Sequence, residues 1–359
     1  MSVLHLSDTH AAQFSTGLNG LESLVKSFRL REANENPDVV VPMRELRLND
    51  DGTLAIPGYD DGFLLNTWSK SQLSSLVGVK WDRWFGRMDR PGQAMEINMR
   101  LSSSEAKLRV RTAQPGEDAP AGTVRALVSP TFSPLRDSEL LGLLREALEP
   151  VDPELRVVRA NVTERSTTYV LGIGRAFKPG DDHEVGDCWG GLLVQNSGVG
   201  YAAARIVANF TRLVCKNGMV APIPGAELLR KAHRAFDMDR LRDALFERLR
   251  DLPGKLANAA QALAASRERR VTDAKAAFQE VLRTARLPLR LLPELEQALE
   301  AEPALRGTAF GISQAVTRAA QAQKPEERFR LELAAGAYVE EATRTHTRPP
   351  RPVMGPGAS

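Results

Sequence analysis

The chain has 359 residues, 42% of them hydrophobic, enough to bury a sizeable core, and its length suggests two units or one large unit with an appendage. Lysine and arginine total 48 against 45 acidic residues, and Arg344, Arg348 and Arg351 near the C-terminus account for the excess, so the body is neutral and a global positive field for nucleic-acid binding is excluded. No apolar run approaches the ~18 residues that span a bilayer, the start lacks an export pattern, and Cys188 and Cys215 make no disulfide framework, so a protein of the cytoplasm with no membrane partner is expected.

Residues 1–17 read as a flexible N-terminus. Residues 18–33 carry a helical period, with Leu21, Leu24, Val25 and Phe28 near one face. Val39-Val40-Val41, then Arg44 to Leu48 and Thr53 to Ile56 around the turn residues Asn49-Asp50-Asp51-Gly52, read as β structure closing in a hairpin. Ser69 with Gln72 makes a capping box for a helix through Val77; a helical turn follows over Trp81 to Met88, and residues 92–102 form a third helix.

Strand patterns resume at Lys107 to Arg111, where Leu108 and Val110 point one way and the cations the other, and at Thr123 to Ser129. Asp137 is placed to cap a helix with Leu140, Leu141, Leu144 and Leu148 on one face; strands are expected at 155–161, at 167–173 and from Trp189 to Val194. From Leu228 onward the pattern is helical, broken by Pro253-Gly254, Pro288, Pro303 and Pro325. The expected fold is α+β: a domain over 18–225 with a mixed or antiparallel sheet, an all-helical unit over 226–343, and a disordered Pro- and Arg-rich tail over 344–359.

The stretch from Trp189 to Met219 is too specific for generic core: Trp189, a glycine pair, Asn196-Ser197, Gly200, Arg205, Arg212, Cys215 and Asn217-Gly218-Met219. Upstream stand Asn66-Thr67-Trp68 with Gln72-Leu73, Trp84-Phe85 and Met88, then Val124-Arg125-Ala126-Leu127-Val128-Ser129 with Phe132, Pro134-Leu135 and Asp137. In this order the blocks, over roughly residues 38–225, resemble the phage/plasmid-like proteins of the domain of unknown function 932 family. The aromatic-Arg pair expected after the central Ser is here Thr131-Phe132-Ser133, and the C-terminal third has no clear echo in that family. The resemblance implies a mobile-element protein in a bacterial host's cytoplasm; it names no reaction.

Residue by residue, the chemistry is sparse. Leu4 to His10 resembles the first block of calcineurin-like metallophosphoesterases, yet the further His and carboxylate blocks that a two-metal site requires have no counterpart. His183, Asp187, Cys188 and Cys215 are competent metal donors in a spacing that matches no established pattern, and Cys beside β segments is more often a small buried hydrophobe. No dinucleotide loop, P-loop or nucleophile elbow occurs, so no catalytic residue, cofactor or metal is assigned.

The suggestive material is basic and aromatic. Arg83, Trp84 and Arg87 cluster, and Arg109, Arg111 and Arg125 lie on neighbouring strands; converging on one sheet face, the cations would neutralise a phosphate backbone while Trp84 stacks on bases. The leading expectation is therefore a non-enzymatic protein that holds or anneals single-stranded DNA as a homo-oligomer. Two alternatives stay open: an enzyme or small-ligand binder with a pocket around Trp189, Asn196, Arg205, Arg212 and Asn217, and a structural protein assembled through its C-terminal helices. Against the pocket, Asn196, Ser197, Asn217 and Gly218 also suit simple turns.

Overall fold

The computed structural model describes residues 18–81, 85–115, 121–151, 155–177, 188–212, 219–234, 237–301 and 303–344. In chain order the elements are α1 (Leu18–Ala33), β1 (Val39–Pro42), β2 (Arg47–Leu48), β3 (Thr53–Ala55), β4 (Phe63–Leu65), α2 (Thr67–Val77), α3 (Arg90–Ser102), β5 (Lys107–Ala113), β6 (Thr123–Val128), α4 (Asp137–Leu148), β7 (Arg156–Val162), β8 (Thr167–Phe177), β9 (Cys188–Asn196), β10 (Ala204–Arg212) and β11 (Met219–Lys231). The helices α5 (Met238–Arg250), α6 (Leu252–Glu268), α7 (Ala274–Ala285), α8 (Leu292–Glu300), α9 (Ala309–Ala319) and α10 (Pro325–Arg344) complete it. The fold is α+β. Two compact units form, each from discontinuous stretches: Met1–Leu171, Val194–Ile206 and Leu228–Arg250 in the first, Gly172–Leu193, Val207–Glu227 and Asp251–Ser359 in the second. The division expected at 225/226 thus meets a chain whose unit boundaries fall inside β8, β9, β10 and β11.

One sheet has six strands in the order β1-β5-β6-β4-β3-β2, antiparallel except where β4 lies parallel to β6. The expected hairpin is β2–β3, with Gly52 at φ 86 in its turn, a conformation that favours glycine; Val39 to Pro42 pair with β5 instead. Against one face lie α2 and α3, burying Leu73, Val77, Ile97 and Leu101 on Leu54, Val110 and Val124. The N-cap of α2 is Asn66, whose side chain accepts from the Ser69 N–H at 2.7 Å, not Ser69 itself. Gln72 is drawn elsewhere, accepting from the Leu127 N–H at 3.0 Å.

The second sheet has the order β11-β10-β9-β8-β7, each strand beside its neighbour in sequence. Within the first unit α1 packs on β7 and α4, and α4 on α5; Leu21, Leu24 and Phe28 of α1 are buried, with the Phe28 ring 6.0 Å from Tyr169. Two strands, β10 and β11, lie where the periodicity leaves no strand or begins a helix. Leu228-Leu229, an adjacent pair between charged residues, is too short to tell a period of two from one of 3.6, and only pairing decides for β.

In the second unit the helices make their own core. Phe278, Val281, Leu282 and Ala285 of α7 pack with Leu295 of α8, Ile312 and Val316 of α9 and Leu331 and Ala335 of α10. Residues 309–317 of α9 are all buried, so the Ala- and Leu-rich seams are consumed inside this unit.

His233, after β11, is 5% exposed and stacks on Phe132, ring centroids 5.3 Å apart. Burial lowers its pKa from 6.5 to about 4, against the Ser133 backbone bond and Asp137 and with help from Arg111. The unfolded chain takes up a proton at this residue near pH 6.5 while the folded chain resists until about 4, so its contribution is whole above 6.5 and lost as pH falls toward 4. Urea titrations at pH 7.5 and pH 4.5 are expected to show His233→Phe losing less stability than the parent, by roughly 2–3 kcal/mol.

Candidate nucleic-acid interface

The site begins with a carboxylate that has left water. Asp137 opens α4 at 3% exposure, and its oxygens take the Arg31 guanidinium from α1, the Thr167 hydroxyl at 2.8 Å and the Asn196 amide at 2.8 Å. Asn196 also donates to the Leu135 carbonyl at 2.8 Å. Asp137 is therefore the first residue of α4 and not its cap. Glu32 of α1 serves that end instead, accepting from the Ser138 N–H at 3.0 Å and from the Ser138 hydroxyl. Residues from α1, α4, β8 and β9 meet on one buried charge.

The second node is Arg111. Buried beside Thr112 at the register shift in the β5–β6 pairing, its guanidinium lies among acids of the α1–β1 connection. It reaches Glu35 at 2.7 Å, Asp38 at 3.0 Å and the Gly198 carbonyl. Arg125 bonds Glu35, and Arg109 reaches Asp38 at 3.5 Å and the Pro130 carbonyl at 2.9 Å. Burial, then Arg31, pull Arg125 down to about 9 against Asp137 and Glu32, leaving it cationic at neutral pH. The alternation of β5 does gather these cations, but acids from the α1–β1 connection cover them. Arg109, Arg111 and Arg125 thus correct the expected phosphate face: their charge is spent on Glu35 and Asp38.

Between the nodes runs the turn Asn196 to Tyr201. The Ser197 hydroxyl donates to the Arg165 carbonyl at 2.6 Å and accepts from the Tyr201 N–H at 2.9 Å. The Trp68 indole donates to the Val199 carbonyl at 3.0 Å. Gly200 has φ +77, a conformation that favours glycine, and a Cβ there would meet Val128 Cγ1 tightly, at 3.0 Å. Trp68 and Tyr201 meet edge to face at 5.2 Å, and the Arg165 guanidinium lies 5.8 and 5.9 Å from the two rings.

A groove of about 400 Å³ opens between α1 and α4, lined by Glu22, Val25, Lys26, Arg29, Leu30 and Arg145. Leu30 is 57% exposed, and Lys26, Arg29 and Arg145 have no ion-pair partner among the described residues. Sequence reading passed over these cations. Lys26 and Arg29 stand at helical spacing beside the buried stripe of α1, a legible signal, but nothing local announces that Arg145 joins them.

Of the other expected residues, Arg87 is exposed in a short 3-10 turn, whereas Arg83 and Trp84 lie outside the described residues. Trp189 falls in β9, and Arg205 and Arg212 in β10; Arg205 is half-buried. Cys215, Asn217, Gly218, His183 and Asp187 lie outside the described residues, and among the described ones no three His, Cys, Asp or Glu side chains gather as for a metal. No described helix is long and apolar enough to cross a membrane. Comparison with protein families, curated proteins and solved structures gives no match to this chain.

Removing one member of a buried ion pair strands the other. Asp137→Ala is expected to cost about 3–5 kcal/mol in urea unfolding because Arg31 and Asn196 lose their common acceptor. Gly200→Ala should cost about 1 kcal/mol or more, from the positive φ and the Val128 contact.

Proposed function

We propose that the chain is a non-enzymatic, nucleic-acid-associated protein that holds single strands by their phosphates in the α1–α4 groove. The observation that carries this reading is the convergence of Lys26, Arg29 and Arg145, against Glu22 alone, on one open groove of an otherwise balanced chain. An unpaired cation can neutralise a phosphate and release the counterion condensed on it, whereas one already bonded to a carboxylate has little to gain. The mobile-element setting implied by the sequence resemblance, in a bacterial host's cytoplasm, fits a protein that holds or anneals single strands as a homo-oligomer.

Titration with a labelled single-stranded oligonucleotide across a salt series tests the reading. Binding should weaken steeply with salt, and Lys26→Glu/Arg29→Glu/Arg145→Glu should lower the log–log slope by about 2, near 0.7 per phosphate contact. Absent binding, or an unchanged slope in the triple variant, overturns it.

A further inference from the structure

We infer that Trp68, Tyr201 and Arg165 form a stacking platform for an unpaired nucleobase; this rests on the single-strand reading above. The three side chains are half-buried: their inner surfaces are packed and their outer surfaces meet solvent. The bonds that position them use the Trp68 indole N–H and the backbone of Tyr201 and Arg165, so none is made by the Tyr201 hydroxyl or the Arg165 guanidinium. The Trp68 N–H is held by the Val199 carbonyl at 3.0 Å, and the Tyr201 backbone and the Arg165 carbonyl share the Ser197 hydroxyl at 2.9 and 2.6 Å. The Trp68 ring and the backbone carrying Tyr201 and Arg165 are held before a ligand arrives, which limits the ordering that opposes binding.

Its chemistry fits a flat, electron-rich ring. The edge-to-face pair leaves aromatic surface for an offset partner, and a guanidinium within 6 Å of both rings adds a planar cation on which a base can also lie. Arg165 is 36% exposed, and its ion pair with Glu164 is long, at 3.7 Å. The Tyr201 hydroxyl makes no hydrogen bond among the described residues, leaving a donor for a base edge. A peptide would need an aromatic side chain at this point to match the guanidinium, whereas every unpaired base presents a planar face.

The test uses the full chain and two labelled strands with equal numbers of phosphates, one of thymidylates and one abasic. The thymidylate strand should bind roughly tenfold tighter. Tyr201→Leu and Arg165→Gln should each reduce that preference severalfold without changing the salt slope, and Tyr201→Phe should retain it. Arg165→Gln leaves the Ser197 bond to the backbone carbonyl intact, so it remains informative if Tyr201→Leu does not fold. Equal binding of both strands with a steep salt dependence overturns the platform and leaves the groove standing. A preference that survives both variants also overturns it. If neither strand binds, the groove and the platform fall together.

Discussion

One buried carboxylate organises the first unit. Asp137, 3% exposed, is costly to desolvate alone, and the cost is met by Arg31, Thr167 and Asn196, which come from three other elements. Its field extends further: together with burial it raises the Tyr169 pKa, it favours the charged form of Arg125, and it opposes the depression of His233. Because the partners lie on α1, β8 and β9, the charge is compensated only when all of these are docked, which makes it a constraint on the arrangement as well as a source of stability.

The same logic governs Arg111. A guanidinium on a sheet face is a nucleic-acid feature only while it is unpaired, and Glu35 and Asp38 remove that condition for Arg111, Arg109 and Arg125 at once. What Arg111 does instead is hold the turn after β9, through its bond to the Gly198 carbonyl. The turn then presents Tyr201 beside Trp68 and Arg165. A structural ion-pair network and a surface cluster of aromatic and cationic groups are thus parts of one construction, the first supplying the rigidity of the second.

The groove depends on the first node in the same way. Arg31–Asp137 and Glu32–Ser138 clamp α1 to the start of α4, and the exposed face of α1 then carries Lys26 and Arg29 beside Arg145. In the second unit Glu332, fully buried, meets Arg328 one helical turn away at 2.9 Å. Its helices are held by apolar seams, with α9 enclosed.

Elements with long or regular periods were legible in the chain itself. The span of α1, the Leu140, Leu141, Leu144 and Leu148 stripe of α4, and the inward Leu108 and Val110 of β5 follow from spacing alone, because burial of an apolar face is decided by local repeat. Asn196, Ser197 and Gly200 also stood out by residue type, since turn chemistry is local. Which cations remain free was not legible: Arg111 meets Glu35 and Asp38 across more than 70 positions of sequence, and Arg145 joins Lys26 across a groove between two helices. The sequence by itself determined the α+β class, most of the elements and the turn; the tertiary structure alone decided that β11 is a strand and which charges are neutralised, because strand pairing and ion pairing depend on distances that close only when the chain folds.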